Sequence, residues 1–364
     1  MKNLPKEHEE NRKIQNGKCL MKKINANCLK NRISEVFLIV EMKQIGGYHM
    51  MLKIIGTESL GVRGLCAVVK IKNRKIVIDP GIALGYCRHR LLPHPLQIAV
   101  GKIIREKIID ELVDATDIVI SHFHGDHIPL ADANPYQLDI NQIRHIPNNC
   151  KLWASPLEGA STKLKQREEA IIFGLNKTIY EAKGPVDDIL SFSDQVPHGE
   201  KDSHLGKVTM TVLRDEKLTF VHASDIQFLT EETILEILHY KPDIVLASGP
   251  PIYLTDFMKK RINQAWDNAL ALASGVETLI IDHHLLRCEE GLEWLKSLSQ
   301  ITGHRVICAA DYMHFERHLL EAKRCQLYKD FPVADGWHEA YIKNKVSTDP
   351  YLLAARDKYE WFGY

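Results

Sequence analysis

The 364-residue sequence has no hydrophobic run that could cross a membrane. Its longest apolar stretches, such as residues 36–40, are far shorter than the ~18 to 20 residues that a membrane-spanning helix needs. An excess of one charge is also lacking, because 47 Lys and Arg residues match 47 Asp and Glu residues. Overall charge therefore gives no sign of a nucleic-acid-binding protein. Glycine-rich phosphate loops of the Rossmann and Walker types are absent as well.

Cysteine is scarce, with eight residues in the whole chain and no Cys-x-x-Cys pair. In a chain of this length, that usage predicts free buried thiols in a reducing compartment rather than a disulfide framework. The remaining composition is ordinary, since 45% of the residues are hydrophobic and 26% are charged. We therefore predict a soluble cytoplasmic protein without a membrane partner, and a homo-oligomer remains open.

Residues 1–49 differ in composition from the rest of the chain. They carry ten Lys and Arg residues against five Glu and no Asp, which leaves the remainder net acidic. They lack the hydrophobic region and the cleavage site of a secretory signal. Two glycines at 46 and 47 can be encoded by a ribosome-binding sequence, and the methionines at 50 and 51 follow it at a suitable spacing. We expect residues 1–49 to be a disordered or mis-annotated N-terminal extension, and residues 51–364 to form a single domain.

Strand and helix patterns alternate from residue 51 onwards. The predicted strands are 51–55, 65–71, 75–78, 117–121, 152–154, 207–213, 218–222, 244–247, 278–281 and 305–309. The predicted helices are 98–112, 160–173, 230–239, 259–273, 289–298 and 315–327. A first half with antiparallel strands, followed by alternating strands and helices, predicts a layered α/β or α+β sandwich.

The strongest chemical signal directly follows the strand 117–121. Three histidines and one aspartate occur in quick succession as His122, His124, Asp126 and His127. Packing does not explain this cluster, because each buried polar group without a partner costs ~1 to 3 kcal/mol. A divalent metal ion would satisfy all of these side chains together. We therefore predict a metal site at this loop.

This His-x-His-x-Asp-His sequence after a strand resembles the signature of the metallo-β-lactamase fold superfamily. Other motifs of that superfamily recur in the expected order, and the resemblance extends from residue 51 to about residue 338. They are Asp79-Pro80-Gly81, Pro197-His198-Gly199, Val221-His222-Ala223-Ser224-Asp225 and Ile281-Asp282-His283-His284. The chain is most similar to an archaeal branch of these metallo-hydrolases. The resemblance implies a four-layer αββα sandwich.

The resemblance also implies two divalent metal ions, which are expected to be zinc, with manganese or iron as alternatives. One ion would be bound by His122, His124 and His198, and the other by Asp126, His127, Asp225 and either His283 or His284. Asp126 and Asp225 are the implied catalytic carboxylates, and Asp79 and Asp282 are expected to support ligands from behind. Imidazole and carboxylate ligands suit zinc, and a hydroxide held between two metals ~3.5 to 4 Å apart is a ready nucleophile.

Histidine and carboxylate ligands at both sites, without cysteine, resemble the phosphodiesterase and nuclease members of that superfamily more than its lactamases. The resemblance therefore implies hydrolysis of a phosphoester, either in a small molecule or as a phosphodiester in nucleic acid. The lack of an obvious Lys/Arg stripe near the motifs weakens the nucleic-acid alternative. Three other functions remain open. They are a thioester or carbonyl hydrolase of the glyoxalase type, a di-iron protein, and a metal-binding protein without catalysis.

Several nearby residues have two interpretations. His204 competes with His198 as a ligand, although the Pro-His-Gly turn favours His198. His222 is expected to pack or to form a hydrogen bond behind the ligands. Arg63 and Arg287 could contact an anionic substrate, but for each alone we favour a solvated surface charge. The histidines outside the motifs, including His94, are expected to lie on the surface or to be bonded locally.

Overall fold

The computed structural model describes residues 50–358 of the chain. The predicted N-terminal extension over residues 1–49 therefore lies outside the described residues. Within the described part, no helix combines the length and the apolar character that crossing a membrane requires.

The first sheet has six strands in the order β1-β2-β3-β4-β5-β6. Their bounds are β1 Met50–Gly56, β2 Cys66–Ile71, β3 Arg74–Ile78, β4 Asp117–Ile120, β5 Lys151–Ala154 and β6 Ile179–Glu181. The first three strands pair antiparallel, and β3 to β6 pair in parallel. Helix α1, Pro95–Leu112, connects β3 to β4, and helix α2, Thr162–Leu175, connects β5 to β6. Sheet and connecting helices thus follow the predicted alternation.

The second sheet has seven strands in the order β15-β14-β13-β12-β11-β8-β7, and β9 and β10 form a separate pair. The bounds are β7 Gly184–Pro185, β8 Leu190–Phe192, β9 Val196–Pro197, β10 Lys207–Val208, β11 Thr211–Arg214, β12 Thr219–Ser224, β13 Ile244–Ala247, β14 Thr278–Ile281 and β15 Arg305–Ile307. Strands β12 to β15 are parallel, whereas β7, β8, β11 and β12 are antiparallel.

Side chains of the second sheet alternate between two cores, as the two-residue period of a strand requires. One face packs against the first sheet and contributes Leu213, Phe220, Leu246 and Ile280. The opposite face contributes Val212, Val221, Val245 and Leu279 and packs against helices. Both faces are fully buried, which accounts for the continuous apolar runs in these strands.

The helices after β12 are α3 Glu231–His239, α4 Thr255–Met258, α5 Ile262–Ser274, α6 Glu290–Thr302, α7 Ala309–Tyr312, α8 Arg324–Asp330, α9 Trp337–Ile342 and α10 Asp349–Lys358. Helices α3, α5 and α6 cover the outer face of the second sheet. On the other side of the molecule, Ile104 and Ile108 of α1 lie against Gly56 of β1. The arrangement is helix, sheet, sheet, helix, so the predicted αββα sandwich is confirmed.

Two predicted elements are wrong. The strand predicted over 207–213 is divided into β10 and β11, because the backbone N–H of Thr209 leaves the sheet and donates to the carbonyl oxygen of Ser121 at 3.0 Å. The helix predicted over 315–327 is absent over its first half. There, the N–H of His318 donates to the carbonyl oxygen of Ser59 at 2.7 Å, so the chain is held by a distant segment instead of by its own helical turn.

The topology places the ends of several parallel strands at the same edge of each sheet. β3 and β4 run in parallel in the first sheet, and β12, β13 and β14 run in parallel in the second. In sheets of this kind, functional groups gather beyond the carboxyl ends of the strands.

Candidate metal centre

Loops after five strands bring the predicted ligands together. Asp79 follows β3, residues 121–127 follow β4, His198 follows β9, Asp225 follows β12, and residues 282–284 follow β14. All eight predicted ligands belong to groups in which the possible ligand atoms lie within 4.8 Å of one another. Positions separated by some 160 residues in the sequence therefore meet in one cluster.

Asp225 lies at the centre of the cluster, and its two carboxylate oxygens face different histidines. Oδ2 is 3.0 Å from Nε2 of His198, 3.6 Å from Nε2 of His122 and 3.7 Å from Nε2 of His284. Oδ1 is 3.2 Å from Nε2 of His127 and 3.6 Å from Nε2 of His283. One carboxylate can thus contribute an oxygen to each of two adjacent cation positions.

The ligand atoms divide into two sets around these oxygens. The first position is surrounded by His122, His124, His198 and Asp225. The second is surrounded by Asp126, His127 and His283, and Oδ2 of Asp126 is 3.5 Å from Nε2 of His283. A further group joins Asp225, His283 and His284. His204, the alternative to His198, is exposed and belongs to none of the groups found among the described residues.

Hydrogen bonds behind the cluster orient two of the rings. Nδ1 of His127 donates to Oδ2 of Asp79 at 2.9 Å. The hydroxyl of Ser121 donates to the same oxygen at 2.6 Å, so its own oxygen accepts from Nδ1 of His122 at 2.9 Å. With Nδ1 protonated, each ring directs the lone pair of Nε2 towards the centre, the arrangement in which histidine binds a metal. The hydroxyl of Ser224 also contacts Asp79, at 3.0 Å.

The residues fit a divalent cation, as judged from unpaired buried atoms. Nε2 of His122 is buried without a hydrogen-bond partner, and Nε2 of His127 and Oδ1 of Asp225 are buried 3.2 Å apart without the geometry of a hydrogen bond. A buried polar atom without a partner destabilises the fold by ~1 to 3 kcal/mol. These nitrogens and oxygens are acceptors of the type that zinc binds.

The two histidines after β14 have different outer partners. Nδ1 of His284 lies 3.3 Å from the hydroxyl oxygen of Ser248, which can accept a hydrogen bond from Nδ1–H. The lone pair of this ring is then on Nε2. The ring of His283 instead faces two donors. The backbone N–H of Gly64 points to Nδ1 at 3.2 Å, and Nη2 of Arg287 lies 2.8 Å from Nε2. His283 is thus better placed for the second position, whereas His284 has the more suitable outer hydrogen bond.

Electrostatics in the cluster favour metal binding by neutral imidazoles. Burial lowers the pKa of His122, and it lowers the pKa of His124 to about 4. Burial alone would raise the pKa of Asp225, but the adjacent imidazoles, led by His127, hold it well below the usual range. Asp225 and Asp79 correspondingly raise the pKa of His127 in spite of its burial. The proton on Nε2 of His127 must therefore leave before this ring can bind a metal, while Nδ1 keeps its proton for Asp79.

Arg287 lies at the second position and is buried, with only 6% of its surface exposed. The expectation of a solvated charge is wrong for this residue. Its Nε donates to Glu58 at 3.0 Å and its Nη1 donates to the hydroxyl of Tyr253 at 3.1 Å. Nη2 is 3.6 Å from Oδ2 of Asp126. Arg63, by contrast, is partly exposed and forms an ion pair with Glu321.

Three of the eleven non-glycine residues with positive φ among residues 50–358 lie at the cluster. Asp79, Ser224 and His283 have φ angles of 49°, 52° and 64°, in the left-handed region that side chains other than glycine rarely adopt. Such strain persists where the surrounding structure enforces it, and it is common at functional sites.

Sequence reasoning did not single out Ser121, Ser248 or Gln227, because an isolated serine or glutamine has no distinctive spacing.

Two other residues near the motifs have structural roles. Nε2 of His222 contacts the carbonyl oxygen of Leu65 at 2.9 Å, and the ring is fully buried. Asp282 accepts from the backbone N–H groups of Ser59 and Ala309 at 3.0 and 2.9 Å. It therefore joins β14 to two distant segments just before His283.

A pocket of about 870 Å³ lies beside the cluster. Gln227 connects the two, because it lines the pocket and its backbone N–H donates to the carbonyl oxygen of His198 at 3.2 Å. Apolar side chains, among them Leu205, Leu254 and Phe257, share the walls with charged ones such as Glu200. This volume is in the range of pockets that bind small molecules.

Comparison with known proteins agrees with the fold and the cluster. Residues 61–223 match the model of the Metallo-beta-lactamase superfamily. The fold and the cluster of histidines and aspartates agree with a metallo-beta-lactamase domain in this part of the chain. The chain as a whole belongs to the UPF0282 family.

Two members of this family illustrate the relationship. The chain is 43% identical over 304 residues to the UPF0282 protein of Methanosarcina mazei, covering 84% of this chain and 100% of the relative. It is 35% identical over 292 residues to a UPF0282 protein of Pyrococcus furiosus, covering 76% of this chain and 91% of the relative.

Solved structures are more distant. The metallo-beta-lactamase fold protein YhfI from Bacillus subtilis has 10% identity and a TM-score of 0.42, with 71% of this chain and 95% of that chain covered. Tm1679, a metal-dependent hydrolase of the beta-lactamase superfamily, has 13% identity and a TM-score of 0.44, with 71% and 96% covered.

Proposed function

We propose that this protein hydrolyses a phosphoester with the help of two divalent metal ions, for which zinc is the first choice and manganese or iron the alternatives. The observation that carries the choice of substrate is the buried guanidinium of Arg287, 3.6 Å from Asp126. Arginine keeps its charge at all relevant pH values and matches the geometry of phosphate oxygens. A neutral thioester or lactam carbonyl would be attracted more weakly to the guanidinium of Arg287.

The proposed ligands follow the two sets around Asp225. His122, His124, His198 and Asp225 would hold the first metal. Asp126, His127 and Asp225 would hold the second, together with an imidazole from the pair His283 and His284. We assign this last role to His283, because its Nε2 is the nearer to Asp126.

Each group at the site then has a defined task. When bound, the metals lower the pKa of water towards about 7 and polarise the phosphoryl oxygen. Arg287 binds an anionic oxygen of the substrate. Asp126, which is the more exposed of the two catalytic carboxylates at 20% against 2% for Asp225, can accept a proton at the reacting centre. Asp225 fixes the spacing of the two cation positions.

The pocket beside His198 is the proposed location of the part of the substrate that does not react. Its mixed walls suit a small organic group better than a long strand of nucleic acid, which requires an extended basic surface. We also propose that the enzyme acts in the cytoplasm. In the described part of the chain all six cysteines are free thiols, and Cys66, Cys150 and Cys308 are buried.

A panel of chromogenic substrates tests the proposal. Zinc-, manganese- and iron-loaded protein is assayed with phosphodiesters, phosphomonoesters, thioesters and lactams, and short oligonucleotides are included. We expect the highest kcat/KM for a phosphoester and loss of turnover after chelation. Faster turnover of thioesters than of phosphoesters would contradict the proposal and indicate a glyoxalase-type activity. Metal binding without turnover of any substrate would favour a non-catalytic protein.

A further inference from the structure

The two proposed metal positions have different cationic neighbours. At the second position, Nη2 of Arg287 lies 2.8 Å from Nε2 of His283 and 3.6 Å from Oδ2 of Asp126. At the first position, the carboxylate oxygen of Asp225 has only histidines as ion-pair partners among residues 50–358. Arg287 thus contacts ligand side chains of the second set, whereas Arg167 reaches the first loop at a backbone atom, donating to the carbonyl oxygen of Phe123 at 2.8 Å.

Arg287 occupies the side of His283 that a second metal needs. A guanidinium only donates hydrogen bonds and does not lose its proton in proteins. A neutral imidazole has a single acceptor nitrogen, so the N–H of Gly64, 3.2 Å from Nδ1, and the guanidinium of Arg287, 2.8 Å from Nε2, compete for it. A metal can bind Nε2 of His283 only after the guanidinium has moved aside.

Arg287 is also held in place from behind. Glu58 and the hydroxyl of Tyr253 accept hydrogen bonds from Nε and Nη1. Nη2 of Arg88 donates to the carbonyl oxygen of Arg287, and the guanidinium of Arg88 lies over the ring of Tyr253 at 4.7 Å. Moving Arg287 away from His283 would disturb several of these contacts, and buried Glu58 would keep only the more distant Arg63, at 4.0 Å, as an ion-pair partner.

We propose that Arg287 makes the two metal positions unequal, so that the first binds its metal tightly and the second binds weakly and in competition with the guanidinium. At limiting metal, the protein carries one ion per chain. This inference rests on the proposed function, because it assumes the ligand sets given there. Repulsion between a guanidinium and a divalent cation a few ångströms away weakens the second site by about tenfold or more, even at a water-like dielectric constant.

Metal titration of the chelator-treated full chain tests this inference. Zinc affinity is measured in competition with a chromophoric chelator, and cobalt(II) absorption reports the geometry of the first and second equivalents. For the unmodified protein we expect two steps, with the second at least about tenfold weaker than the first. In Arg287→Met, the second step should tighten by about tenfold or more, whereas the first, which lies farther from the guanidinium, should change less.

Two further variants keep the test decisive. Glu58→Gln/Arg287→Met removes both buried charges and avoids an unpaired Glu58 if the single variant is unstable. Arg63→Met is the matched control, since it removes a cation of the same network that does not contact His283 or Asp126. We expect a smaller change in the second step for this control.

The outcomes of the metal titration distinguish a failure of this inference from a failure of the proposed function. Two steps of equal affinity in the unmodified protein overturn the inference, as does a second step that Arg287→Met and the double variant leave unchanged. Failure to bind any metal at the first position would instead contradict the proposed ligand sets. These readouts do not depend on the identity of the substrate.

Discussion

Oδ2 of Asp79 lies 2.9 Å from Nδ1 of His127, and both side chains are completely buried. The same oxygen accepts hydrogen bonds from the hydroxyls of Ser121 and Ser224. One carboxylate that is not itself a proposed ligand therefore connects the loop after β3 with the loop after β4 and with the end of β12.

Asp79→Asn should weaken metal binding without removing a ligand. The amide cannot replace the charge that orients the His127 ring, and loss of such an outer partner typically lowers metal affinity by about 10- to 100-fold. Chelator competition measures the change. Asp117→Asn is the control, because Asp117 is also buried but bonds to Arg74 and Trp153 at the far end of β4. An unchanged affinity in Asp79→Asn would show that this contact is dispensable.

Asp126→Asn should lower phosphodiesterase kcat by at least about 100-fold, the usual range for loss of a proton-transferring group. The fold should persist, because the Asp126 side chain is partly exposed and makes no contact in the hydrophobic core. Steady-state kinetics and a thermal melt measure the two effects. Asp132→Asn changes an exposed carboxylate shortly after the same loop and should leave kcat unchanged. Equal turnover in Asp126→Asn and the unmodified protein would refute the assigned role.

Gly81→Ala should damage both stability and metal binding. A Cβ atom at residue 81 would lie 2.1 Å from the backbone nitrogen of Ile128 and 2.2 Å from the carbonyl carbon of His127. Because both atoms are backbone, the ligand loop must shift, and overpacking of this kind typically costs roughly 1 to 3 kcal/mol.

Gly101→Ala is the matched control for that substitution. Residue 101 lies within α1, and its nearest neighbour would be Leu84 Cδ1 at an ordinary 3.6 Å. We expect this variant to be more stable by roughly 0.5 to 1 kcal/mol, because alanine favours a helix interior over glycine. Chemical denaturation of both variants measures the contrast, and similar effects in the two would contradict the close approach at Gly81.

His94 should make the fold sensitive to acid. Its Nδ1 accepts from the backbone N–H of Leu96 at 3.1 Å at the start of α1, and its Nε2 donates to the carbonyl oxygen of Phe331 at 2.8 Å. Burial, the main cause, lowers the pKa of His94 to about 4. The unfolded chain therefore binds this proton at higher pH than the folded one. Stability should fall by up to about 3 kcal/mol as the pH drops from 6.5 to 4.

His94→Asn tests this dependence, because asparagine also caps helices but does not titrate. Urea unfolding between pH 4 and 7 should show a smaller loss of stability in the variant than in the unmodified protein. Identical pH profiles would assign the acid sensitivity to other groups.

Much of this architecture could be predicted from the sequence. The motif histidines and aspartates directly follow apolar strands, and side chains beyond the ends of parallel strands meet at one edge. The resemblance to the metallo-β-lactamase fold, which these motifs carry, therefore placed His122, Asp225 and His283 near one another. It could not decide between His283 and His284, since adjacent residues in a turn are distinguished only by the partners of their outer nitrogens.

Other features depend on contacts between distant segments. Nothing near Arg287 in the sequence reveals Glu58, its buried counter-ion. The apolar residues after Phe315 have helical spacing, but the bond from His318 to Ser59 overrides this local preference. Ser121 and Ser224 form no recognisable sequence motif. Their common role becomes visible only in the structure, where both hydroxyls donate to Asp79.

The most direct test of the central claim is anomalous diffraction, recorded at the zinc edge from crystals of the zinc-loaded protein. The account predicts a strong peak within ligand distance of His122, His124, His198 and Asp225. A map without a peak at that position, or with its strongest peak elsewhere in the chain, would contradict the assignment of this cluster as a metal centre.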